Sequence, residues 1–454
     1  MPDTVERAPR RHLGAGAALS VLAQGGPLLG YGLLSIVLAR TIGPTGNGRF
    51  ALLATLVGIT ALVVSLGLTA GITHEVSRRR WSVRRALRTS YLAALVLGLV
   101  GALGGLAFYA LTKDSVFGGI QVGLVLVALS SLIPLLAYQN AEAIMVARER
   151  YESYTTVELS HATTMIVLGA GLAIAYGLSG AVVGLPASAL VAATIGAILL
   201  VREGRRDTIV DESESLPRAL RFGLQSWGAN LLQQVNYRFD IVILGGFAAA
   251  SDVGVYAVAV SITALAWVLP QALQIVLFPR TADLDESART GEVSTEESDS
   301  SLARALRHGV LLTVPAALIV SVVLLVGVPL LWGSKFSEST WLGFVLLPGV
   351  LLLGIAKLVG TAVIGRGHPR YGLYGGAITM PVTVVLYFAL IPPFHAWGAA
   401  AASSVSYAFS TLLGIVFFRR VTRIRMRRAF VPRAEDVSDY SALLRHLRAG
   451  RSAQ

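Results

Sequence analysis

The residues best suited to chemistry cluster on one helix-length segment, residues 222–248. It carries Gln225, Asn230, Gln233, Gln234, Asn236, Arg238 and Asp240 between apolar neighbours. At about 100° per residue, Asn230, Gln234 and Arg238 fall on one stripe and Gln233, Asn236 and Asp240 on the next. A ladder of amides ending in a guanidinium suits binding better than bond-making. Arg238 is permanently charged and can grip a phosphate with two parallel hydrogen bonds. Asp240 suits an ion-coupling carboxylate. Structural readings stand beside both: Arg238 could snorkel to headgroups or pair with an acid, and Asp240 could clamp Arg40.

Other polar side chains interrupt apolar runs at a few places. Lys357 is the only lysine inside such a run, and a buried ammonium is costly enough to suggest a cavity role or a partner such as Glu142 or Glu158. Glu142 follows Gln139 and Asn140, and Glu158 precedes His161 by three residues, so both acids suit an ion-coupling or gating network near one face. Gln24 and Arg49 complete the candidate cavity set. No phosphate-cradling glycine loop, His-Glu-x-x-His site or Asp-rich loop for glycosyl transfer occurs, so neither an enzyme nor a metal or cofactor is expected. Cysteine is absent, which removes disulfides and thiolate chemistry.

These residues need elements that can hold them in an apolar setting. The chain is 54% hydrophobic and 14% charged, too apolar for 454 residues to fold in water. Twelve runs of about 20 residues or more, the length of a membrane-crossing helix, fall at 14–39, 50–73, 89–112, 118–146, 154–177, 179–201, 222–248, 253–279, 306–332, 340–364, 371–391 and 396–418. The first follows Arg7–His12 as a signal peptide would, but its length points to a retained helix. Of the 38 Lys and Arg, 32 lie in the two tails and in the gaps after every second run. Basic residues near span ends remain cytoplasmic, so both termini are expected inside. The segmentation of the +12 charge argues against nucleic acid and for contact with anionic lipids. Preference for Arg over Lys, with abundant Ala and Gly, is a habit of GC-rich bacterial genomes.

Five regions follow: a cytoplasmic tail (1–13), a six-helix half (14–201), a linker (202–221), a second half (222–418) and a basic tail (419–454). Gly48-Arg49-Phe50-Ala51 and Gly254-Val255-Tyr256-Ala257 open spans two and eight. Val146–Tyr151 and Gly365–Tyr371 follow spans four and ten. These echoes imply two parallel repeats related by an axis along the membrane normal, around a central cavity. The segment Thr281–Ala305 reads as an acidic, solvated loop, and Val437, Tyr440, Leu443, Leu444 and Leu447 as an amphipathic helix on the inner leaflet. Trp332, Trp341, Phe394 and Trp397 read as an interfacial aromatic belt.

Leu38-Ala39-Arg40-Thr41-Ile42-Gly43-Pro44 with Gly48-Arg49-Phe50, and Tyr237-Arg238-Phe239-Asp240 running to Val253-Gly254-Val255-Tyr256-Ala257, carry a family resemblance. Leu269-Pro270 and Leu277-Phe278-Pro279-Arg280 add to it. The chain resembles the polysaccharide-transporter branch of the multidrug/oligosaccharidyl-lipid/polysaccharide exporter superfamily, which includes O-antigen and teichoic-acid flippases. The resemblance implies a cavity, lined by the first two helices of each half, that accepts a lipid-linked glycan. Cations there would face its pyrophosphate and sugars, and Arg49, Arg238 and Lys357 are this chain's set.

The leading expectation is a flippase moving a lipid-linked oligosaccharide of the cell envelope across the cytoplasmic membrane, in company with glycosyltransferases or a polymerase of the same pathway. A cation-coupled multidrug exporter and a non-transporting scaffold of a glycan-assembly complex are the alternatives.

Overall fold

The computed structural model describes residues 11–209, 215–267, 294–368, 370–422 and 424–436; for residues 11–29 and a few positions of span seven the description covers the backbone only. Every regular element among the described residues is a helix. Among the described residues, eight helices are long and apolar enough to cross a membrane. Three of them, Gly30–Val64, Tyr151–Gly204 and Arg370–Val421, each hold two expected spans. The remaining span, span seven, is Ser215–Phe247, whose polar ladder sets it apart from those eight helices.

The doubled helices reverse at single residues with non-helical torsions: Gly43 (φ 65, ψ −171), Gly177 (φ 60, ψ −136) and His395 (φ 47, ψ −123). Positive φ suits glycine, which has no Cβ to clash, so His395 carries strain that Gly177 does not. The hairpins around these last two residues have one design. Three residues after each turn, Gly180 sits against the carbonyl of Leu172 and Gly398 against that of Leu390. Each glycine thus meets the carbonyl eight residues earlier, which makes the hairpin of spans five and six a structural copy of that of spans eleven and twelve.

Two compact units divide the chain. One comprises Met1–Val258, Gly327–Ser339 and Tyr387–Ala399; the other comprises Ala259–Val326, Thr340–Leu386 and Ala400–Gln454. In the first unit Leu53, Ile72, Trp81, Val125, Leu132 and Tyr256 are fully buried. In the second, Leu302, Leu306, Leu358, Val359 and Phe418 form a core with Ala429 of the short helix Met426–Phe430.

Several boundaries differ from the sequence reading. Span two breaks at Leu66 (φ 46) and Gly67 (φ 68), then continues as Leu68–Ser77. Span four is two helices, Val122–Ser130 and Leu132–Ala147. The linker is shortened from both sides by helices ending at Gly204 and starting at Ser215. Span nine starts at Thr295 rather than 306, so the end of the expected acidic loop is helical. Ser294 caps it by accepting from the Glu297 N–H at 3.2 Å, and Glu296 and Glu297 lie in its first turn, where carboxylates suit the helix dipole. Trp332 leaves the aromatic belt: it is buried and donates from Nε1 to Ser35 Oγ at 3.0 Å. Trp341, Phe394 and Trp397 remain exposed. The expected amphipathic helix at 437–447 lies outside the described residues, as do 281–293 of the acidic loop.

Candidate functional site on span seven

Glycines hold span two against span seven at its inner end and against span eight at its outer end, because small residues let helix backbones approach closely. At the inner end, Gly67 and Gly223 lie over one another's carbonyls, and Gly71 lies over that of Ala219. The break at Leu66–Gly67 makes this approach possible. Just before it, the Leu62 carbonyl accepts from the Ser65 hydroxyl at 2.9 Å and from Trp227 Nε1 at 2.9 Å. Beyond it, His74 stacks on Phe222 with centroids 4.2 Å apart. Glu75, with no exposed surface, pairs with Arg218 of span seven at 3.9 Å and with Arg80 at 4.0 Å.

The outer end is built without charge. Gly48 lies over the Ala250 carbonyl and the Gly254 N–H, and Gly254 lies over the Pro44 carbonyl and the Gly48 N–H. Pro44 precedes Gly48 by four residues, as Ala250 precedes Gly254, so the contact is two-fold symmetric. Asn47 Nδ2 donates to the Gly254 carbonyl at 3.1 Å and closes it. The matched motifs at 48–51 and 254–257 are therefore the two halves of one contact.

Between these ends the polar ladder is open. Asn230, Gln233 and Arg238 are exposed and Gln234 partly so, while Asn236 is described by its backbone alone. A Cβ on Gly58 would stand 3.5 Å from Arg238 Nη1, so span two leaves room for the guanidinium. Tyr31 of span one lies within electrostatic range of both Arg238 and Glu158. The Glu158 and Glu142 carboxyls face each other within hydrogen-bonding reach, and Oε1 of the buried Glu142 has no hydrogen-bond partner among the described residues. Their floor is aromatic: the His161 ring lies 4.8 Å from Tyr138 and 6.3 Å from Tyr31. Next to Glu142 in span four, Asn140 accepts from the Thr69 hydroxyl at 3.0 Å. Arg238, Tyr31, Glu158 and Glu142 thus form one chain of polar groups.

The other candidates lie elsewhere. Asp240 is buried; its Oδ2 accepts from the Tyr256 hydroxyl at 2.5 Å and its Oδ1 from the Ile241 N–H at 2.8 Å. Arg40 instead donates to the Leu331 and Leu330 carbonyls at 2.8 and 2.5 Å, capping the end of span nine. The expected Arg40–Asp240 clamp is thus replaced by two separate ones. Arg49, expected at the cleft, packs over Gly119 in the loop between spans three and four, 2.7 Å from where its Cβ would be. Lys357 Nζ lies 4.1 Å from the centroid of Trp267, a cation–π contact within the second unit. The Gln24 side chain lies outside the described residues.

Glu75, Arg218 and Tyr31 escaped the sequence reading, and Tyr256 entered it only as part of a motif, without its role as partner of Asp240. Glu75 had a signal, as a lone acid just before the arginine run Arg78–Arg80. Tyr31 had none, because an isolated tyrosine in an apolar span looks like packing.

The family described as "Polysaccharide biosynthesis protein" matches residues 13–285. The chain belongs to that family. Two proteins of Haloferax volcanii are similar over parts of it. The probable low-salt glycan biosynthesis flippase Agl15 is 24% identical over 174 residues, 38% of this chain and 36% of that protein. The probable flippase AglR is 28% identical over 207 residues, 44% of this chain and 42% of that protein. The matched stretch is under half of either relative. Among solved structures, the lipid II flippase MurJ in an inward closed conformation aligns with a TM-score of 0.70, covering 89% of both chains at 12% identity. An inward-facing multidrug resistance MATE family transporter of the MOP superfamily aligns with a TM-score of 0.71, covering 88% of this chain and 98% of the other at 16% identity. These likenesses establish the fold alone, an all-helical, multi-span arrangement shared with both proteins.

Proposed function

We propose that this chain is a flippase that moves a lipid-linked oligosaccharide, a precursor of cell-envelope glycan on an undecaprenyl-type carrier, across the cytoplasmic membrane by alternating access of its two six-helix halves. The observation that carries the reading is the open polar face of span seven, with Arg238 set opposite Gly58. Amides at 230, 233 and 234 offer both donors and acceptors, which suits sugar hydroxyls. Arg238 suits the anionic pyrophosphate linkage. Family membership and the names of the Haloferax relatives support the same class of substrate.

Coupling is assigned to Glu142 and Glu158 rather than to Asp240. Two carboxyls within hydrogen-bonding reach are held together by a shared proton or a bound cation, since two bare carboxylates repel. Tyr31 lies within electrostatic range of both Glu158 and Arg238, and this nearness supports a reading in which loading the pair changes the field at the substrate group. Asp240, satisfied by Tyr256 and its neighbouring N–H, serves as a structural clamp. The same carboxyl pair favours a second reading, a cation-coupled exporter of small amphipathic molecules.

Deletion of the gene, followed by analysis of lipid-linked intermediates, separates the two. A flippase predicts accumulation of a complete lipid-linked oligosaccharide on the cytoplasmic side, relieved by the wild-type chain and not by Glu142→Gln. Unchanged intermediates together with increased drug sensitivity would reject it in favour of the exporter.

A further inference from the structure

The basic segment after span twelve is a folded structure rather than a loose run of charge. Arg307, about three turns into the helix Thr295–Val322 and 4% exposed, forms a two-pronged pair with the fully buried Asp436, Nε to Oδ2 at 2.6 Å and Nη2 to Oδ1 at 2.8 Å. Its third nitrogen, Nη1, donates to the Arg428 carbonyl at 2.9 Å. Asp436 also accepts from the Arg433 N–H at 2.8 Å. Arg307 hydrogen bonding holds the Asp436 carboxyl below the usual carboxylate range, which keeps the clamp charged. One clamp thus fixes both ends of the segment 428–436. Ala429 is buried in the second unit's core, and Phe430 meets Phe418 edge-on with centroids 6.2 Å apart.

This scaffold borders an open cavity of about 740 Å³ whose lining includes Arg425, Arg427, Arg428 and Arg433, with Ile424 and Asp299. Asp299 is already engaged, accepting from Arg366 Nη2 at 2.6 Å. Arg433 has Glu435 at 3.2 Å, while Arg425, Arg427 and Arg428 have no carboxylate partner among the described residues. Holding three arginines together on one short helix, Met426–Phe430, and the residue before it costs repulsion unless an anion offsets it. The volume falls within the range of about 300–1,000 Å³ typical of small-molecule sites, larger than a bare phosphate needs.

We propose that this cavity is a phosphate-binding site on the cytoplasmic side, with Arg425 and Arg427 as its principal ligands, that accepts the phosphate of an anionic headgroup or of a soluble phosphorylated molecule. Guanidinium groups bind phosphate oxygens bidentately, and Ile424 gives the cavity an apolar wall beside them. The site is separate from the polar face of span seven and does not depend on which substrate is flipped.

The test uses purified full-length protein and native mass spectrometry. It is offered phosphatidylglycerol, phosphatidylcholine or inorganic pyrophosphate. The double variant Arg425→Gln/Arg427→Gln changes two exposed side chains and leaves the Arg307–Asp436 clamp intact. Arg419→Gln/Arg420→Gln removes equal charge from the same tail outside the lining. A headgroup site predicts at least tenfold preference for phosphatidylglycerol over phosphatidylcholine, lost in the first variant and kept in the second. Pyrophosphate binding with that same dependence, and no lipid preference, assigns the site to a soluble ligand. Equal losses in both variants, or no loss in the first, would overturn the site and leave only a diffuse basic surface.

Discussion

Span two meets its neighbours in two ways. At the outer end the contact is backbone on backbone, Gly48 and Gly254 resting on each other's preceding turns, with a hydrogen bond from the Asn47 side chain. At the inner end glycines again bring helices together, but the contact adds the His74–Phe222 stack and a buried carboxylate, Glu75, between Arg218 and Arg80. The outer contact depends on shape alone and is indifferent to salt and protonation. The inner one is an ion pair across two helices, which can be broken and remade at modest cost where its arginines reach solvent. The proposed alternating-access cycle must open one end at a time, and these chemistries would give its two ends different levers.

The largest effect is expected from filling the outer contact. Gly254→Leu would drive a side chain into the Pro44 carbonyl, and Gly48→Leu into that of Ala250. Both variants should lose more than nine-tenths of transport, with a fall in thermal stability of about 1–3 kcal/mol from overpacking. Equal damage from the two would support the two-fold symmetry, and a normal Gly254→Leu protein would break it. Gly58→Ala, which would touch only Arg238, should be far milder.

The inner end should give a smaller and salt-sensitive effect. Arg218→Ala leaves Glu75 with Arg80 alone and should cost about 1 kcal/mol, the upper end for a pair whose arginine reaches solvent. The charge exchange Glu75→Arg with Arg218→Glu should recover part of the lost transport. Failure of the exchange together with a salt-independent Arg218→Ala phenotype would reduce Glu75 to packing. The smallest effect concerns the outer turns. His395→Gly should raise stability by about 1 kcal/mol by relieving positive φ, measured as a thermal midpoint, whereas Gly177→His should lower it.

The spans were legible because membrane crossing imposes length and charge rules that a sequence displays directly. The polar face of span seven was legible because amides and a guanidinium at helical spacing have few places to go in hydrocarbon. The echo of Gly48 and Gly254 was visible as a repeat, but that the two glycines touch was not, since contact depends on how distant helices cross. Asp240 and Arg40 were read as partners because opposite charges at matching helix tips suggest a pair. A tyrosine hydroxyl and two free carbonyls satisfy them instead, and neutral partners leave no charge signal in a sequence. The breaks at Leu66 and His395 had no signal either, since neither residue favours positive φ and both conformations follow from the packing around them.

Reconstitution tests the central claim most directly. Purified protein is placed in vesicles containing an undecaprenyl-pyrophosphate oligosaccharide, and the fraction reached by an external glycan-cleaving enzyme is followed over time. A flippase exposes the inner-leaflet pool, Arg238→Ala abolishes that exposure while remaining folded in the bilayer, and Arg238→Lys restores part of it because charge survives without the two-pronged grip. Wild-type vesicles that expose no more glycolipid than protein-free ones, while taking up a small amphipathic cation against a proton gradient, would contradict it.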